Sequence, residues 1–361
     1  IAQPRTSHIG RFAIILLLFI VGVLVVITSV LSPRNQEAYH QKETENLNVP
    51  LLETVAFSTK LGTSGFFPPN FPEHDKKDVE KFWEVANKYS DTNGVHVDWK
   101  DTRLLDVTAD SYQGEIVLVL GYQSTKEWKS DKGALIAKLK TILEDYPGIN
   151  YVGIGNEINL LEEKYPGQYS NFVTAYKEIY NELKFEYPNK LFFPTWQYEH
   201  LIGEGYLMTA EKGRKPRWDL VTQLDGYFDL FAITSYPYFD VINPAELPKD
   251  YFLSYSDYTD KPLAITETGW MSRWEFGGDY RQITLDGYTG SELEQDRYLA
   301  WLLEFIETEQ DSIEFVNWVG FNDFNDWEEG DIPESLALFD SIGLNYNDGS
   351  NKLIWLRWID I

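Results

Sequence analysis

The stretch Val152–Asn159, VGIGNEIN, is a short apolar run that ends in a turn containing a glycine, an asparagine and a glutamate, Glu157. Short apolar runs bounded by turn residues are typical of buried strands in a parallel sheet. If that sheet closes into a barrel, the C-terminal end of the strand opens into the mouth where such barrels hold their active-site residues. A second run of the same kind, Lys261–Trp270 or KPLAITETGW, contains Glu267, 110 positions later (267 − 157). The sequence therefore predicts two glutamates at the ends of two buried strands.

The rest of the chain alternates between strand-like and helix-like segments. Four segments place apolar residues at helical spacing: Asp75–Lys88, Asp131–Asp145, Ser170–Glu186 and Ser291–Thr308. Six further segments have the composition of strands: Thr54–Thr59, Gly94–Trp99, Glu115–Gln123, Lys190–Thr195, Asp229–Thr234 and Ile313–Trp318. With the two runs above, this alternation predicts an α/β fold, a (β/α)₈ TIM barrel over residues 51–361.

Length and charge limit the kinds of protein that this chain can be. It has 361 residues, and the roughly 310 that follow the N-terminal region suit one large barrel. The formal charge of −26 repels nucleic acid, anionic lipid and polyanionic substrates, so we expect a neutral substrate and no nucleic-acid partner. There is no cysteine, which excludes disulfides and thiolate metal sites.

The N-terminal region contains a long uncharged run. Phe12–Leu31, FAIILLLFIVGVLVVITSVL, has 20 residues without a charge, enough to span roughly 30 Å of bilayer at 1.5 Å per residue. This length favours an uncleaved single-pass anchor over a cleaved signal, which would make the protein secreted instead. Arg5 and Arg11 precede the span, so we expect residues 1–11 in the cytoplasm and, after a polar tether at 32–50, an extracytoplasmic barrel.

Two strand-end glutamates suit the hydrolysis of a glycosidic bond. One carboxyl group protonates the leaving oxygen, and a second carboxylate attacks or stabilises the anomeric carbon. Strands four and seven of a barrel face each other, which leaves room for a sugar between Glu157 and Glu267. We expect the acid to be the less solvated of the two. Glutamates also cap helices that follow strands, but capping does not explain two of them at opposed positions.

Together with Ser235-Tyr236-Pro237 after strand six and Asn317-Trp318 on strand eight, these motifs resemble clan A of the retaining (β/α)₈ glycoside hydrolases. The clan includes endo-galactanases, cellulases, mannanases and β-1,3-glucanases, and the motifs do not select one family. The resemblance implies that Glu157 is the acid/base and Glu267 the nucleophile. It also implies that Tyr236 hydrogen-bonds the nucleophile and that Trp318 floors the subsite of the cleaved sugar. An arginine that many members carry on strand two is not evident, and His96 or Asp98 occupies that region.

Further substrate contacts are predicted from residue type and position. We assign Asn156 to the 2-hydroxyl of the reacting sugar, with an Asx turn as the alternative. Aromatic residues make up 16% of the chain, and flat rings suit the apolar faces of sugars. Those near predicted strand ends are Trp99, Trp196, Tyr198, Trp270 and Trp318, for each of which core packing is the alternative. His96, His200, Asp98 and Glu199 line the cleft in this interpretation, or act as structural hydrogen-bonding partners.

These residues predict a retaining O-glycosyl hydrolase that cleaves β-glycosidic bonds of a neutral poly- or oligosaccharide without a cofactor or metal. The acidic cluster Asp323–Asp331 does not have the spacing of a calcium loop, so a solvated face is favoured there. Two alternatives remain open. One is a cell-surface carbohydrate-binding or adhesion protein on an inactive barrel, against which the two intact glutamates argue. The other is a transglycosylase, which would use the same residues with a sugar hydroxyl in place of water.

Overall fold

A computed structural model describes residues 58–65, 76–121, 131–165, 167–203, 215–241, 243–273, 290–323, 339, 341–346 and 348–361. The chain divides into two units, residues 1–53 and residues 54–361. Among the described residues no helix is both long and apolar enough to cross a bilayer. The predicted anchor Phe12–Leu31, the cytoplasmic residues 1–11 and the tether at 32–50 lie outside the described ranges.

Helices and strands alternate along the second unit. The strands are β1 Lys60–Gly65, β2 Thr92–Asp98, β3 Glu115–Gly121, β4 Tyr151–Ile154, β5 Leu191–Phe193, β6 Thr195–Gln197, β7 Phe231–Ser235, β8 Leu263–Thr268 and β9 Ile313–Val319. The α-helices are α1 Lys76–Tyr89, α2 Arg103–Ser111, α3 Lys132–Asp145, α4 Leu160–Lys164, α5 Tyr169–Glu186, α6 Tyr198–Ile202, α7 Trp218–Thr222, α8 Glu292–Glu309 and α9 Leu353–Trp358. Short 3₁₀ helices lie at Pro237–Phe239, Pro244–Glu246, Leu253–Asp257 and Gln310–Ser312.

The nine strands form one parallel sheet in the order β5-β4-β3-β2-β1-β9-β8-β7-β6. Its two end strands, β5 and β6, are consecutive in the chain, and only Pro194 separates them. Proline has no N–H to donate, so it interrupts the ladder at that point. The N–H of Thr195 donates to the Gly155 carbonyl (3.1 Å), and the Thr195 carbonyl accepts from Ile158 (3.0 Å). These bonds join β6 to the end of β4, so β5 and β6 are one interrupted strand of an eight-membered barrel. The predicted (β/α)₈ fold is confirmed.

The first strand does not lie where the sequence predicted it. We expected it at Thr54–Thr59, of which residues 54–57 lie outside the described ranges, whereas the first described strand, β1, is Lys60–Gly65, KLGTSG. Leu61 is the one large apolar side chain of this strand. Its alternate residues face the narrow barrel interior, where polar groups such as Thr92 and Asn317 leave space only for small side chains. A search for apolar runs cannot find such a strand.

Side chains alternate between two cores. An inner cluster fills the barrel and consists of Val117, Val119, Tyr151, Phe193, Leu230, Ala232, Ala264 and Phe315. A larger outer cluster joins the strands to the helices and takes the intervening residues, such as Leu118 and Leu120 of β3. Polar residues follow Phe315 on the inner face, where Asn317 accepts a hydrogen bond from Thr92 (2.5 Å). The inner surface therefore becomes polar toward the C-terminal ends of the strands.

A β-bulge interrupts this alternation in β8. Ile233 pairs with Ile265, but the next residue of β7, Thr234, pairs with Glu267. Thr266 is the extra residue, and its hydroxyl donates to the Ile233 carbonyl (2.9 Å). Since Ala264 faces inward, simple alternation would turn Glu267 toward the helices, and the bulge brings it back to the inner face.

Candidate active site

Glu157 lies in the turn after β4, in a conformation that is unusual for its residue type. Its φ is +49°, and among the described residues it is the one non-glycine with a positive φ. This left-handed backbone costs a residue with a Cβ on the order of 1 kcal/mol. The N–H of Glu157 donates to Thr195 Oγ1 (2.8 Å), and Thr234 Oγ1 donates to Glu157 Oε1 (2.8 Å). Two threonines on neighbouring strands therefore hold the turn and its carboxylate.

Glu267 lies just after the bulge of β8 and is almost fully buried, with 3% of its surface exposed. Tyr236 donates its hydroxyl to Oε2 (2.7 Å), and Nδ1 of His96 lies 3.2 Å from Oε1. The side chain of Asn156 also donates to this carboxyl group. Burial raises the pKa of Glu267 from its ordinary value to about 7, against the hydrogen bonds from Tyr236 and Asn156, which lower it.

The two glutamates meet at the same place in the barrel mouth. Thr234 is the register partner of Glu267 and donates to Glu157. Asn156, which precedes Glu157, reaches Glu267 from the opposite strand. The pKa of Tyr236 is raised well above its usual value, first by burial and then by the charges of both glutamates. The fold therefore brings Glu157 and Glu267 to the same end of the barrel, where Tyr236 donates to Glu267 and is affected by the charge of Glu157.

The neutral imidazole of His96 faces this group from β2. Burial lowers the pKa of His96 to about 4, so the ring carries no charge near neutral pH. Its Nε2 lies 3.0 Å from the hydroxyl of Ser64 on β1. His96 was predicted to bind substrate, and the structure places it against Glu267.

A third glutamate, Glu199, lies in the first turn of α6 and is fully buried. It accepts hydrogen bonds from Ser235, from Gln197 Nε2 (2.5 Å) and from Tyr251 (3.3 Å). The backbone N–H of Tyr236 also donates to it. Burial raises its pKa to about 7 despite these donors. Of the two readings open from the sequence, these contacts favour a structural hydrogen-bonding role beneath Tyr236.

This barrel is shared with known glycosidases. The neighbours include a β-1,3-glucanosyltransferase from Rhizomucor miehei, an active-site mutant in complex with laminaritriose (TM-score 0.56, 14% identity, 82% of this chain and 97% of that chain). A Bacteroides uniformis β-glucuronidase matches with a TM-score of 0.58 and 14% sequence identity, over 83% of this chain and 34% of the glucuronidase chain. An exo-β-1,4-mannosidase from an Opitutaceae bacterium matches with a TM-score of 0.58 and 14% sequence identity. The match covers 84% of this chain and 59% of the mannosidase chain.

The fold is what these comparisons show. The chain spans half the length of the β-glucuronidases of an uncultured Clostridium and of Dictyoglomus thermophilum, which it matches at 13% and 12% identity. Neither a protein-family model nor a curated protein matches the sequence. The neighbours agree with the resemblance to clan A glycoside hydrolases, in which no single family was selected.

Four predicted substrate-binding residues lie away from the glutamates in the described contacts. Asp98 is exposed and accepts from the N–H of Lys100 (2.8 Å), as in an Asx turn. Trp196 is fully buried in the outer core, where its ring stacks on Phe231 at 5.3 Å. Trp270 is also fully buried, between Tyr238 and Tyr298.

The fourth residue, Trp318, lies on the outer face of β9, between the inward-facing Asn317 and the helix layer. It is fully buried, its indole N–H donates to the Ile342 carbonyl (2.7 Å), and its ring lies 5.7 Å from that of Tyr298 on α8. No face of this ring is exposed to a sugar in the structure, in contrast to the predicted role as a subsite floor.

Sequence reasoning missed Thr195, Thr234, Ser64 and Phe339. The two threonines are the last residues of predicted strands five and six, so their position at strand ends was a usable signal. Ser64 gave no such signal in the sequence, because the strand that carries it, β1, was not predicted. Phe339 comes from a loop after β9, and its half-buried ring lies 4.7 Å from that of Tyr236. Only the three-dimensional structure brings it to the site.

The acidic cluster weighed as a calcium site lies mostly outside the described residues. Asp323, its first member, is buried, and its carboxylate accepts from Lys352 Nζ (2.5 Å) and from the Gly343 N–H (3.0 Å). Among the residues that the structure describes, no group of three His, Asp or Glu side chains is arranged to hold a metal.

Proposed function

We propose that this chain is a retaining glycoside hydrolase of neutral β-linked glycans, with Glu157 as acid/base and Glu267 as nucleophile. The observation that carries the proposal is that both glutamates lie at one end of the barrel. Thr234, the register partner of Glu267, donates to Glu157, and Asn156, the neighbour of Glu157, donates to Glu267. Two carboxyl groups at a barrel mouth are the requirement for double displacement at an anomeric carbon. The shared fold with glycosidases supports the same reading.

In the proposed reaction, Glu157 transfers a proton and Glu267 forms a covalent bond to the sugar. Glu267 attacks the anomeric carbon while Glu157 gives its proton to the glycosidic oxygen, so the C–O bond breaks and the aglycone leaves as an alcohol. Glu157, now a carboxylate, takes a proton from water, whose oxygen attacks the anomeric carbon and releases Glu267 as a carboxylate. Configuration is retained because the carbon is inverted twice.

The burial of the two glutamates differs from expectation. We expected the acid to be the less solvated group, yet Glu267 is the more buried of the two. The hydrogen bonds support the proposed roles nonetheless. Glu267 accepts from Tyr236 and Asn156, which stabilises its anionic form, as a nucleophile requires. Thr234 donates to Glu157 and orients it.

A test of the roles uses an aryl β-glycoside with an activated leaving group. Glu157→Ala should form the glycosyl-enzyme and then stall, because no base activates water. Azide needs no base, so it should restore turnover and give a β-glycosyl azide of retained configuration. Glu267→Ala should give no such product. Glu199→Gln is the matched control, a buried glutamate outside the reaction, and should form no glycosyl azide.

The opposite pattern would reverse the roles. In that case azide would rescue Glu267→Ala with inverted product, while Glu157→Ala would stay inactive. Turnover unaffected by both alanine substitutions would remove the proposed function altogether. A wild-type protein that binds oligosaccharides but cleaves none from a panel of β-glucans, galactans, mannans and xylans would be a binding or adhesion protein.

Transglycosylation is the second candidate, and one observation favours it. The glucanosyltransferase from Rhizomucor miehei is matched over 97% of its chain, whereas the matched glucuronidases and the mannosidase extend further beyond the shared barrel. Transfer uses the same two glutamates with a sugar hydroxyl in place of water. Incubation with a single oligosaccharide would give longer products if transfer dominates, and shorter products alone if water is the acceptor.

We also propose that the barrel is extracytoplasmic and held to a membrane by residues 12–31 as a single-pass anchor. The support is the sequence of this run, 20 residues without a charge, and the arginines that precede it. A neutral glycan is favoured as substrate because the charge of −26 repels polyanions.

A further inference from the structure

A network of buried hydrogen bonds connects the turn after β4 to the segment after β7. Asn159, two residues after Glu157, binds the backbone of Gln197 at the end of β6. Its Oδ1 accepts from the Gln197 N–H (2.9 Å), and its Nδ2 donates to the Gln197 carbonyl (2.9 Å). Ile158 donates its N–H to the Thr195 carbonyl of the same strand (3.0 Å). The turn that carries Glu157 is therefore fixed to β6 at two of its residues.

The side chain of Gln197 extends this network to Glu199. Its Oε1 accepts from the His200 N–H (2.6 Å), and its Nε2 donates to Glu199 Oε2 (2.5 Å). Because a backbone N–H can only donate, the contact with His200 fixes the orientation of the amide. Glu199 Oε1 accepts from the hydroxyls of Ser235 and Tyr251. Gln197, Glu199 and Ser235 are all buried, so these bonds form away from bulk water.

Ser235 and the next residue, Tyr236, bring the network to the second glutamate of the site. Ser235 is the last residue of β7, and the backbone N–H of Tyr236 also donates to Glu199. The hydroxyl of Tyr236 donates to Glu267 Oε2 (2.7 Å). Tyr236 is thus held at both ends, its backbone by Glu199 and its phenol by Glu267. Since the backbone determines where the ring can reach, Glu199 helps to set the contact with Glu267.

We propose that Gln197 and Glu199 are positioning residues, which brace the backbone of Tyr236 against the turn of Glu157 and so align its phenol with Glu267. The inference rests on the proposed role of Glu267 as nucleophile. The titratable groups around Glu267 are His96, Tyr236 and, through Tyr236, Glu157, and those around Glu199 are Tyr198, Tyr251, Tyr298 and Asp240. A displaced phenol would donate less well to the anion of Glu267, which would then be protonated more easily.

The kinetic test is the pH dependence of kcat/KM for an activated aryl β-glycoside. In Glu199→Gln an N–H₂ group replaces one accepting oxygen and faces either Gln197 Nε2 or the donors on the other side, so the network is weakened. We expect kcat/KM to fall about tenfold near neutral pH and the acid limb of the profile to move to higher pH. An acid limb that moves to lower pH would mean that the ionisation of Glu199 itself had set it, and would overturn the proposal.

Asp229→Asn is the matched control. Asp229 lies just before β7, at the opposite end of that strand, and its carboxylate accepts from the Phe192 N–H (2.8 Å) and the Tyr180 hydroxyl (3.1 Å). The substitution makes the same change from carboxylate to amide within a hydrogen-bonded group. It should leave the acid limb in place even where it lowers stability. An equal shift in both variants would assign the effect of Glu199 to general loosening of the barrel.

Two double variants separate positioning from other roles of Glu199. Tyr236→Phe removes the phenol hydroxyl, so adding Glu199→Gln should move the acid limb little further. Combining Gln197→Glu with Glu199→Gln exchanges donor and acceptor. The carboxylate at position 197 then accepts from the His200 N–H and from the new amide, whose oxygen faces Ser235. This exchange should return the acid limb toward the wild-type position. A full further shift without the phenol, or an exchange variant as impaired as Glu199→Gln, would refute the proposal.

A spectroscopic measurement follows Tyr236 independently of activity. In protein labelled with ¹³C at tyrosine Cζ, the Tyr236 signal is identified by its loss in Tyr236→Phe. We expect its chemical shift to change in Glu199→Gln, to return toward the wild-type value in the exchange variant, and to stay constant in Asp229→Asn. An unchanged signal in Glu199→Gln would contradict the positioning role even in an active enzyme. The expected shifts in a protein that cleaves no glycoside would contradict the proposed function instead.

Discussion

The backbone at Glu157 adopts a strained conformation that the site uses to aim a carboxylate. Gly155, two residues earlier, has a φ of +92°, and a Cβ there would lie 2.7 Å from Ile158. The turn is therefore tight at both residues, but only Gly155 is a glycine. Thr195 and Thr234 hold Glu157 in place, so the cost of the left-handed conformation is offset by hydrogen bonds on two strands.

This strain predicts an unusual order of stability between two variants. Within helices and strands, alanine is more stabilising than glycine by about 0.5–1 kcal/mol. At residue 157 the positive φ reverses that preference, so Glu157→Gly should be more stable than Glu157→Ala by about 1 kcal/mol. Urea unfolding of both variants measures the difference. Equal stabilities, or a more stable alanine variant, would mean that the turn relaxes when the carboxylate is removed.

Glu199 predicts a pH dependence of stability. Its pKa rises from an ordinary value of 4.5 to about 7 on folding, so the folded state binds the proton more tightly. Its contribution to stability is therefore complete below pH 4.5 and is lost as pH rises toward 7. The buried His96 acts in the opposite sense, since its lowered pKa favours the folded state as pH rises.

A comparison of the wild type with Glu199→Gln isolates the contribution of Glu199 to the pH dependence of stability. The free energy of unfolding of the wild type minus that of Glu199→Gln should fall by on the order of 2 kcal/mol between pH 4.5 and pH 7. Denaturant unfolding at several pH values measures it. A difference that stays constant over this range would show that folding leaves the pKa of Glu199 unchanged, with its four donors offsetting the effect of burial.

At the scale of elements, α8 covers the barrel strands and also ties down the loops beyond them. Gln295 of α8 is buried, and its Nε2 lies 2.9 Å from the Trp270 carbonyl and 3.1 Å from the Ile342 carbonyl. Trp318 of β9 donates to the same Ile342 carbonyl. These contacts join α8, the end of β9 and the loops after β8 and β9 into one packed unit beneath the mouth of the barrel.

Trp318→Ala should therefore weaken this unit. We expect a loss of about 3–5 kcal/mol, the usual cost of emptying a large buried site. The resemblance to the clan predicted instead a loss of activity with little effect on folding. Thermal unfolding and activity per folded molecule, measured on one preparation, separate the two. Tyr258→Ala is a control, since Tyr258 is a more exposed ring on the outside of the barrel. A Trp318→Ala protein of unchanged Tm and much lower activity would restore the subsite role.

For the whole molecule, the uncharged run at residues 12–31 makes a prediction about location. Protein expressed with this run should stay with membranes after high-salt and carbonate washes, because an apolar span of this length is stable in a bilayer. A version beginning at residue 51 should be recovered in the supernatant. N-terminal sequencing of the mature protein checks the result, since a soluble product trimmed after residue 31 would identify a cleaved signal.

The sequence by itself determined the barrel and the two glutamates at its mouth. Apolar runs with turn residues after them identify strands β3, β4 and β8 locally, and in a parallel barrel every strand ends at the same mouth. The sequence therefore predicts that residues as distant in the chain as Glu157 and Glu267 lie at the same end of the barrel.

The tertiary structure decided which way side chains face and what they touch. Alternation along a strand has a phase that only the neighbouring strands set, so Trp318 and Asn317 could not be told apart as outward and inward. The bulge at Thr266 reverses that phase for Glu267 and leaves no local mark in ITETGW. The closure at Pro194, the polar strand β1 and the contacts of His96 depend on groups distant in the chain. Such pairings are set by the packing of the whole barrel, which no single stretch of sequence contains.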